Sequence, residues 1–225
     1  MRVGIVTEGP SDFRALSAVL ESVVPGAEMQ HLWPETPAIG RPTGWRGVKS
    51  WCLENGSRLE VLLRGVPGRE IDVLVVHVDC SMADKPGARR PCPPARDTAD
   101  ALRAVVFQDW IGRVAPCWLI VVTPAQTTDA WVVAALEPAY TPTITLECDQ
   151  AVENELVRRK LLRRKGDEVK KPAAVYAGLV KQIVDRLSTV RSLCLEADRF
   201  CLESLAAADC VEAGCWGSSG DTASS

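Results

Sequence analysis

The chain has 225 residues, 47% hydrophobic, 24% charged and 5% aromatic, enough for one α/β domain with additions and a sizeable buried core. Its 26 basic and 29 acidic residues leave a net charge of −3, which excludes nucleic-acid binding driven by overall basicity. The longest apolar runs, residues 73–78 and 118–122, fall far short of the roughly 20 residues of a membrane span. Residues 1–7 are already a strand candidate with no charged-then-apolar segment before them, so a cytoplasmic protein without an ordinary signal is expected. Nine cysteines are scattered with no CxxC pair, which argues against a zinc ribbon and for reduced thiols.

Residues 2–7 (RVGIVT) form a β-branched run closed by Glu8-Gly9-Pro10. Ser11 or Asp12 then caps a helix whose Phe13, Leu16, Leu20 and Val23 share one face. A second strand is expected at residues 28–33, ended by Pro34, and a Pro/Gly-rich loop at 35–46. Residues 45–63 read as mostly helical, with Asn55-Gly56 as a break. The run 72–78 (DVLVVHV) is almost continuously apolar, the pattern of a strand covered on both faces of a parallel sheet. After Asp79 comes a loop, residues 80–97, holding prolines and basic residues; 98–114 reads as a helix and 117–123 (CWLIVVT) as another central strand. Thr127 or Thr128 caps a helix running to Leu136. Residues 152–164 and 172–208 read as helices, with no strand expected after residue 150, and the Gly/Ser-rich tail as disordered.

Strands alternating with helices predict an α/β fold: a mostly parallel central sheet with helices on both faces, plus a C-terminal helical region. The expected division is 1–145 for the α/β domain, 146–212 for the helical extension and 213–225 for the tail. Ligands in such sheets collect beyond the carboxyl ends of the strands. Three strands here lead into acidic residues there: Glu8 with Asp12 a turn later, Asp79 with Asp84 along its loop, and Asp129 at a helix start. Converging carboxylates repel one another unless a hard cation offsets them, so Mg²⁺ or Mn²⁺ is the natural occupant. Asp12 and Asp129 also suit helix N-termini for capping and dipole reasons. Glu8 and Asp79 close apolar strands with no capping duty. His77, two residues before Asp79, points to the same face if the strand stays extended; it either hydrogen-bonds a carboxylate of the site or is a buried structural histidine.

Glu8-Gly9-Pro10-Ser11-Asp12 after a first strand resembles the TOPRIM signature, in which a strand leads into Glu-Gly and then an acidic residue. Asp79, closing a later buried strand, resembles the start of the TOPRIM Asp-x-Asp motif. Thr128-Asp129-Ala130-Trp131-Val132-Val133-Ala134 resembles a Glu-Ala-Trp-Leu-Leu-Ala-like segment of a bacterial TOPRIM-like family related to OLD-family nucleases and often found near phage-defence genes. The likeness covers residues 1–137. The second Asp of Asp-x-Asp is Ser81 here, a hydroxyl that ligates without adding charge.

The resemblance implies phosphodiester hydrolysis or transfer. Glu8 and Asp79 would be the catalytic pair, Glu8 as metal ligand or general base. Glu8, Asp12, Asp79, Ser81, Asp84 and Asp129 would form the metal-ligand pool for Mg²⁺ or Mn²⁺. Arg41, Arg46, Lys85, Arg89 and Arg90 lie in or beside the two flexible loops and suit a phosphate backbone, with Trp45 available to stack on a base. The most basic window is 158–171, eight basic and two acidic residues, read as part of a helix. The implied partners are nucleic acid, DNA first, and an ATPase or other defence-system subunit, with no membrane. Two functions follow: a TOPRIM-type nuclease acting as the effector of an anti-phage system, or a non-catalytic TOPRIM-like subunit that docks a protein or nucleic acid. Neither a GxSxG elbow nor a Walker loop is present.

Overall fold

Strands β1 (Arg2–Val6), β2 (Glu28–Trp33), β3 (Val73–His77) and β4 (Leu119–Val122) form one sheet in the order β2-β1-β3-β4. Every neighbouring pair is parallel, so all four strands deliver their carboxyl ends to one edge. The computed structural model describes residues 1–34, 42–65, 70–113, 115–136, 146–149, 151–166 and 168–214. The central strands β3 and β4 are buried along their whole length, as their continuous apolar runs require.

Alternation along β3 divides the core in two. Val73 and Val75 join Val3, Ile5, Ile120 and Val122 under α1 (Pro10–Val23) and α5 (Asp129–Leu136). Leu74 and Val76 join Val6, Leu119 and Val121 under α2 (Gly44–Asn55), α3 (Leu59–Arg64) and α4 (Ala95–Val105), the last prolonged by a π-helical segment, Val106–Ile111. Side chains two apart on a strand share a face, so His77 belongs with Val73 and Val75, on the α1/α5 side.

Helix α5 carries no polar stripe: Asp129 through Ala135 are all buried. A helix apolar all round needs cover on both sides. The sheet covers one, and the C-terminal helices α7 (Ala173–Asp185), α8 (Leu187–Leu193) and α9 (Leu195–Glu212) cover the other, with Trp131 stacked on Phe200 of α9 at 6.3 Å between ring centroids. The C-terminal helices thus share one core with the sheet. Leu179 and Ile183 are buried in it, while Val175 is 45% exposed.

Three expectations need correction. The helix expected through residue 164 ends with α6 (Val152–Arg158), where Lys160 takes a left-handed φ of 60°. An antiparallel hairpin follows, β5 (Arg163–Lys165) and β6 (Glu168–Lys170), turning at Gly166 with φ 62°. The helix expected over 172–208 is three helices. Cys194, extended between α8 and α9, is fully buried, so the chain bends there to keep the small side chain inside. The reduced-thiol expectation also fails for four cysteines, because the fold pairs Cys92 with Cys148 and Cys117 with Cys210 at Cα separations of 5.7 and 6.4 Å. Cys52, Cys80, Cys194 and Cys201 are free and buried. The expected tail falls outside the described residues beyond Gly214, and no described helix is long and apolar enough to cross a membrane.

The shared core makes a prediction. Phe200→Ala should cost about 3–5 kcal/mol and leave a single unfolding transition in urea. Two separate transitions would show that the C-terminal helices form an independent unit.

Candidate metal centre

Adjacent parallel strands place chemically equivalent positions side by side. Val6 of β1 stands beside Val76 of β3, so the residues just beyond both strands meet at one edge. Glu8 accepts a hydrogen bond on Oε1 from the backbone N–H of Asp79 at 2.8 Å. Its Oε2 faces the start of α2: a Cβ at Gly44, where φ is +61°, would stand 3.6 Å from it. Thr7, fully buried, donates to the Gly9 carbonyl at 2.9 Å and lies 3.1 Å from His31 Nε2. This fixes the turn from which α1 departs.

Helix α1 brings Asp12 in its first turn, buried at 6% exposure. The Thr128 hydroxyl donates to Asp12 Oδ1 at 2.8 Å and so ties α1 to the start of α5. Asp12, His77 and Asp79 each present a ligand atom, and these atoms lie within 4.8 Å of one another. Donors sharing one divalent cation stand up to about 4 Å apart across it, so little closure is needed. His77 is wholly buried, and neither ring nitrogen has a hydrogen-bond partner. Its Nε2 comes within 3.2 Å of Asp79 Oδ1, an ion-pair distance without hydrogen-bond alignment, and Asp79 Oδ1 is itself without a hydrogen bond. Buried polar atoms in native proteins are almost always satisfied. A cation among these three side chains would take up one ring nitrogen of His77 together with the aspartate oxygens, and the donor set fits it.

The electrostatics follow from crowding. Burial and the neighbouring Asp79 charge push the Glu8 carboxyl up to about 8. Burial also raises Asp79 to about 6, against the pull of His77. Burial alone would lower His77, but Asp12, Asp79 and Glu8 hold it up at about 9. Without a metal, the imidazolium is the counter-charge of the centre.

Other expected site residues are placed elsewhere. Asp129, fully buried, receives hydrogen bonds from Lys171 Nζ at 2.5 Å and Tyr176 Oη at 3.0 Å, while its backbone N–H bonds the Thr127 hydroxyl at 3.1 Å. Lys171 neutralises it and also reaches Glu153 at 2.9 Å, so Asp129 serves as the anchor of the C-terminal segment. Ser81 sits exposed in the 3₁₀ turn Cys80–Met82. Asp84 is held at the surface by Arg89 at 3.1 Å, and Arg89 also donates to the Ser81 carbonyl at 3.0 Å. Arg90 donates to the carbonyls of Gly87 and Arg89. Arg89 and Arg90 therefore brace the loop that carries them. Lys85 and Arg46 are exposed, Arg46 lying 5.4 Å from the Trp45 ring, and Arg41 falls outside the described residues. The ligand set expected from sequence omits His77, although its spacing from Asp79 carried the signal.

A scan against protein-family models finds no match, and searches of the curated proteins and of the solved structures find no significant similarity.

The shifted groups set a pH dependence for the metal-free protein. Glu8 and Asp79 hold protons to higher pH in the fold than in the unfolded chain, so folding loses stability as pH rises through their windows. His77, raised to about 9, contributes stabilisation that is full below its ordinary value and lost as pH passes the raised one. Buried Glu196, raised to about 7 by burial against Arg199 and Arg103, acts in the same direction. With chelator present, the melting temperature should fall steadily from about pH 5 to about pH 9. A profile that rises across this range would contradict the assigned charges.

Proposed function

We propose that the chain is a divalent-metal-dependent phosphodiesterase of the TOPRIM type, a nuclease acting as the effector of a bacterial anti-phage defence system. The observation that carries this reading is the fully buried His77, with neither ring nitrogen hydrogen-bonded, against Asp79 and beside Asp12 at the carboxyl edge of a parallel sheet. The resemblance of the Glu8–Asp12 and Asp79 motifs supplies the reaction class.

Asp12, His77 and Asp79 would hold the metal. A nitrogen donor in the set favours Mn²⁺ over Mg²⁺, which prefers oxygen alone. When bound, the ion supplies charge compensation for a phosphoryl oxygen. Glu8 stands beside the set and would serve as the general base toward the attacking water, and through the Asp79 N–H it also fixes the strand end that carries the ligand. Thr128 orients Asp12 and leaves its second oxygen for the metal.

A second reading has its own observation. With Asp129 neutralised by Lys171, Asp84 bound to Arg89 and Ser81 exposed, only three donors remain together among the described residues. So reduced a centre suits a subunit that binds a metal, partner protein or nucleic acid without cutting.

Nicking of supercoiled plasmid with Mn²⁺ decides between them. Wild type should nick with Mn²⁺ and stop with EDTA. Asp79→Asn and Glu8→Gln should each slow nicking by roughly 10²-fold or more, while the metal-free melting temperature holds or rises because carboxylate repulsion is relieved. Unchanged nicking in both variants would refute the catalytic assignment. Wild type that binds Mn²⁺ yet never nicks would support the docking subunit.

A further inference from the structure

The two disulfides differ in access. Cys148 is only 3% exposed, and Cys92 beside it is half-buried. Cys117 is exposed, and its partner Cys210 is half-buried in the last turn of α9. Cys117 also lines a cleft of about 200 Å³, walled by Pro116, Leu119, Ala206 and the Arg103–Glu203 ion pair at 2.7 Å. Pockets for whole small-molecule ligands run to roughly 300–1,000 Å³, so this cleft suits a single thiol-bearing side chain. The chain's own free thiols do not fill that role. Cys52, Cys80, Cys194 and Cys201 are buried, and burial pushes Cys52 up to about 12 and Cys201 up to about 11. Disulfides are opened by thiolates, not thiols, and none of these four supplies one.

The exposed pair also holds a definite piece of structure. It joins positions 93 residues apart and ties the chain just before β4 to the end of α9. The earlier part of that helix has other ties. Phe200 stacks on Trp131, Arg199 reaches Asp100 at 2.7 Å, and Glu203 pairs with Arg103. Ala207 is the last buried residue of α9, and every side chain beyond it is half-buried or exposed. At that end the covalent cross-link is the main restraint.

We propose that Cys117–Cys210 is a redox site for a dithiol partner, whose thiolate enters the cleft and attacks Cys117, and that its opening frees the C-terminal end of α9. The incoming thiolate bonds to Cys117 Sγ as the Cys117–Cys210 bond breaks, and Cys210 leaves as a thiolate and is protonated. The partner's second thiol, losing its proton, then attacks the partner's own sulfur in the mixed disulfide and releases Cys117, which is protonated in turn. Cys117 and Cys210 end as thiols, and the dithiol ends as a disulfide. Access selects Cys117 as the sulfur attacked. The site precedes β4, at the opposite edge of the sheet from Asp12, His77 and Asp79, and stands independently of that centre's chemistry.

The test treats the full native chain with dithiothreitol after its reactive free thiols are blocked with one alkylating reagent. Newly opened cysteines take a second reagent and are located by peptide sequencing, which reads Cys215, outside the described residues, separately from Cys210. Cys117 and Cys210 should take the second label together, at dithiol concentrations that leave Cys92 and Cys148 joined. In excess glutathione, a monothiol that cannot complete the second step, the mixed disulfide should form on Cys117. Hydrogen exchange over residues 208–212 should speed up on reduction, while exchange in β1 and β3 stays unchanged. Cys117→Ser with Cys210→Ser should show the faster exchange without reductant; if that variant does not fold, the labelling order in wild type still decides. Opening of Cys92–Cys148 first or at the same time, or opening of Cys117–Cys210 only in denaturant, would overturn the redox site. A glutathione adduct on Cys210 would overturn the attack on Cys117, and unchanged exchange over 208–212 would overturn the release of the helix end.

Discussion

Parallel pairing of β1 with β3 brings Glu8 and Asp79 together beyond the same edge, and α1 adds Asp12 from above. Three carboxylates in a region largely closed to water cannot all ionise without positive charge among them. The fold answers at two depths. His77 lies within the carboxylate cluster, and Lys171 lies behind it, on Asp129. The surrounding structure follows from this charge balance. Thr128 holds Asp12, Tyr176 shares Asp129 with Lys171, and α7 departs directly after that lysine. The C-terminal helices are therefore joined to the site by an ion pair as well as by the apolar cover they give α5.

Much of the architecture is legible in the sequence. The runs at 73–78 and 118–122 read as covered strands, and Asp79 after the first of them lies at the carboxyl edge where the candidate centre forms. The buried side of α5 is readable too, since Ala130 to Ala135 include no charged or hydroxyl side chain. What the sequence hides is long-range. Lys171 lies 42 residues from Asp129, and nothing local pairs them. Cys92 and Cys117 meet partners 56 and 93 residues away. The break at Cys194 has no glycine or proline to announce it; tertiary packing overrides helix propensity there. The basic window reads as a helix because Lys and Arg favour one, yet Gly166 and the left-handed Lys160 set a hairpin instead.

His77 illustrates how a candidate ligand is noticed in the sequence yet left out of the ligand set. On an apolar strand a lone histidine reads as core, and its two-residue offset from Asp79 is only suggestive. Burial without a hydrogen-bond partner is what changes its meaning, and burial is a property of the folded chain. Asp129 shows the opposite case. It sits in a motif-like segment at a helix start, but its carboxylate is already matched by a lysine and a tyrosine. The sequence places both residues near the site; only the set of partners assigns their roles.

The central claim is that a divalent cation sits among Asp12, His77 and Asp79. Anomalous diffraction from crystals soaked in Mn²⁺ tests it most directly. The account predicts one strong peak about 2.0–2.4 Å from an oxygen of each aspartate and from a ring nitrogen of His77. Crystals that take up Mn²⁺ elsewhere, with His77 still paired only to Asp79, would contradict it.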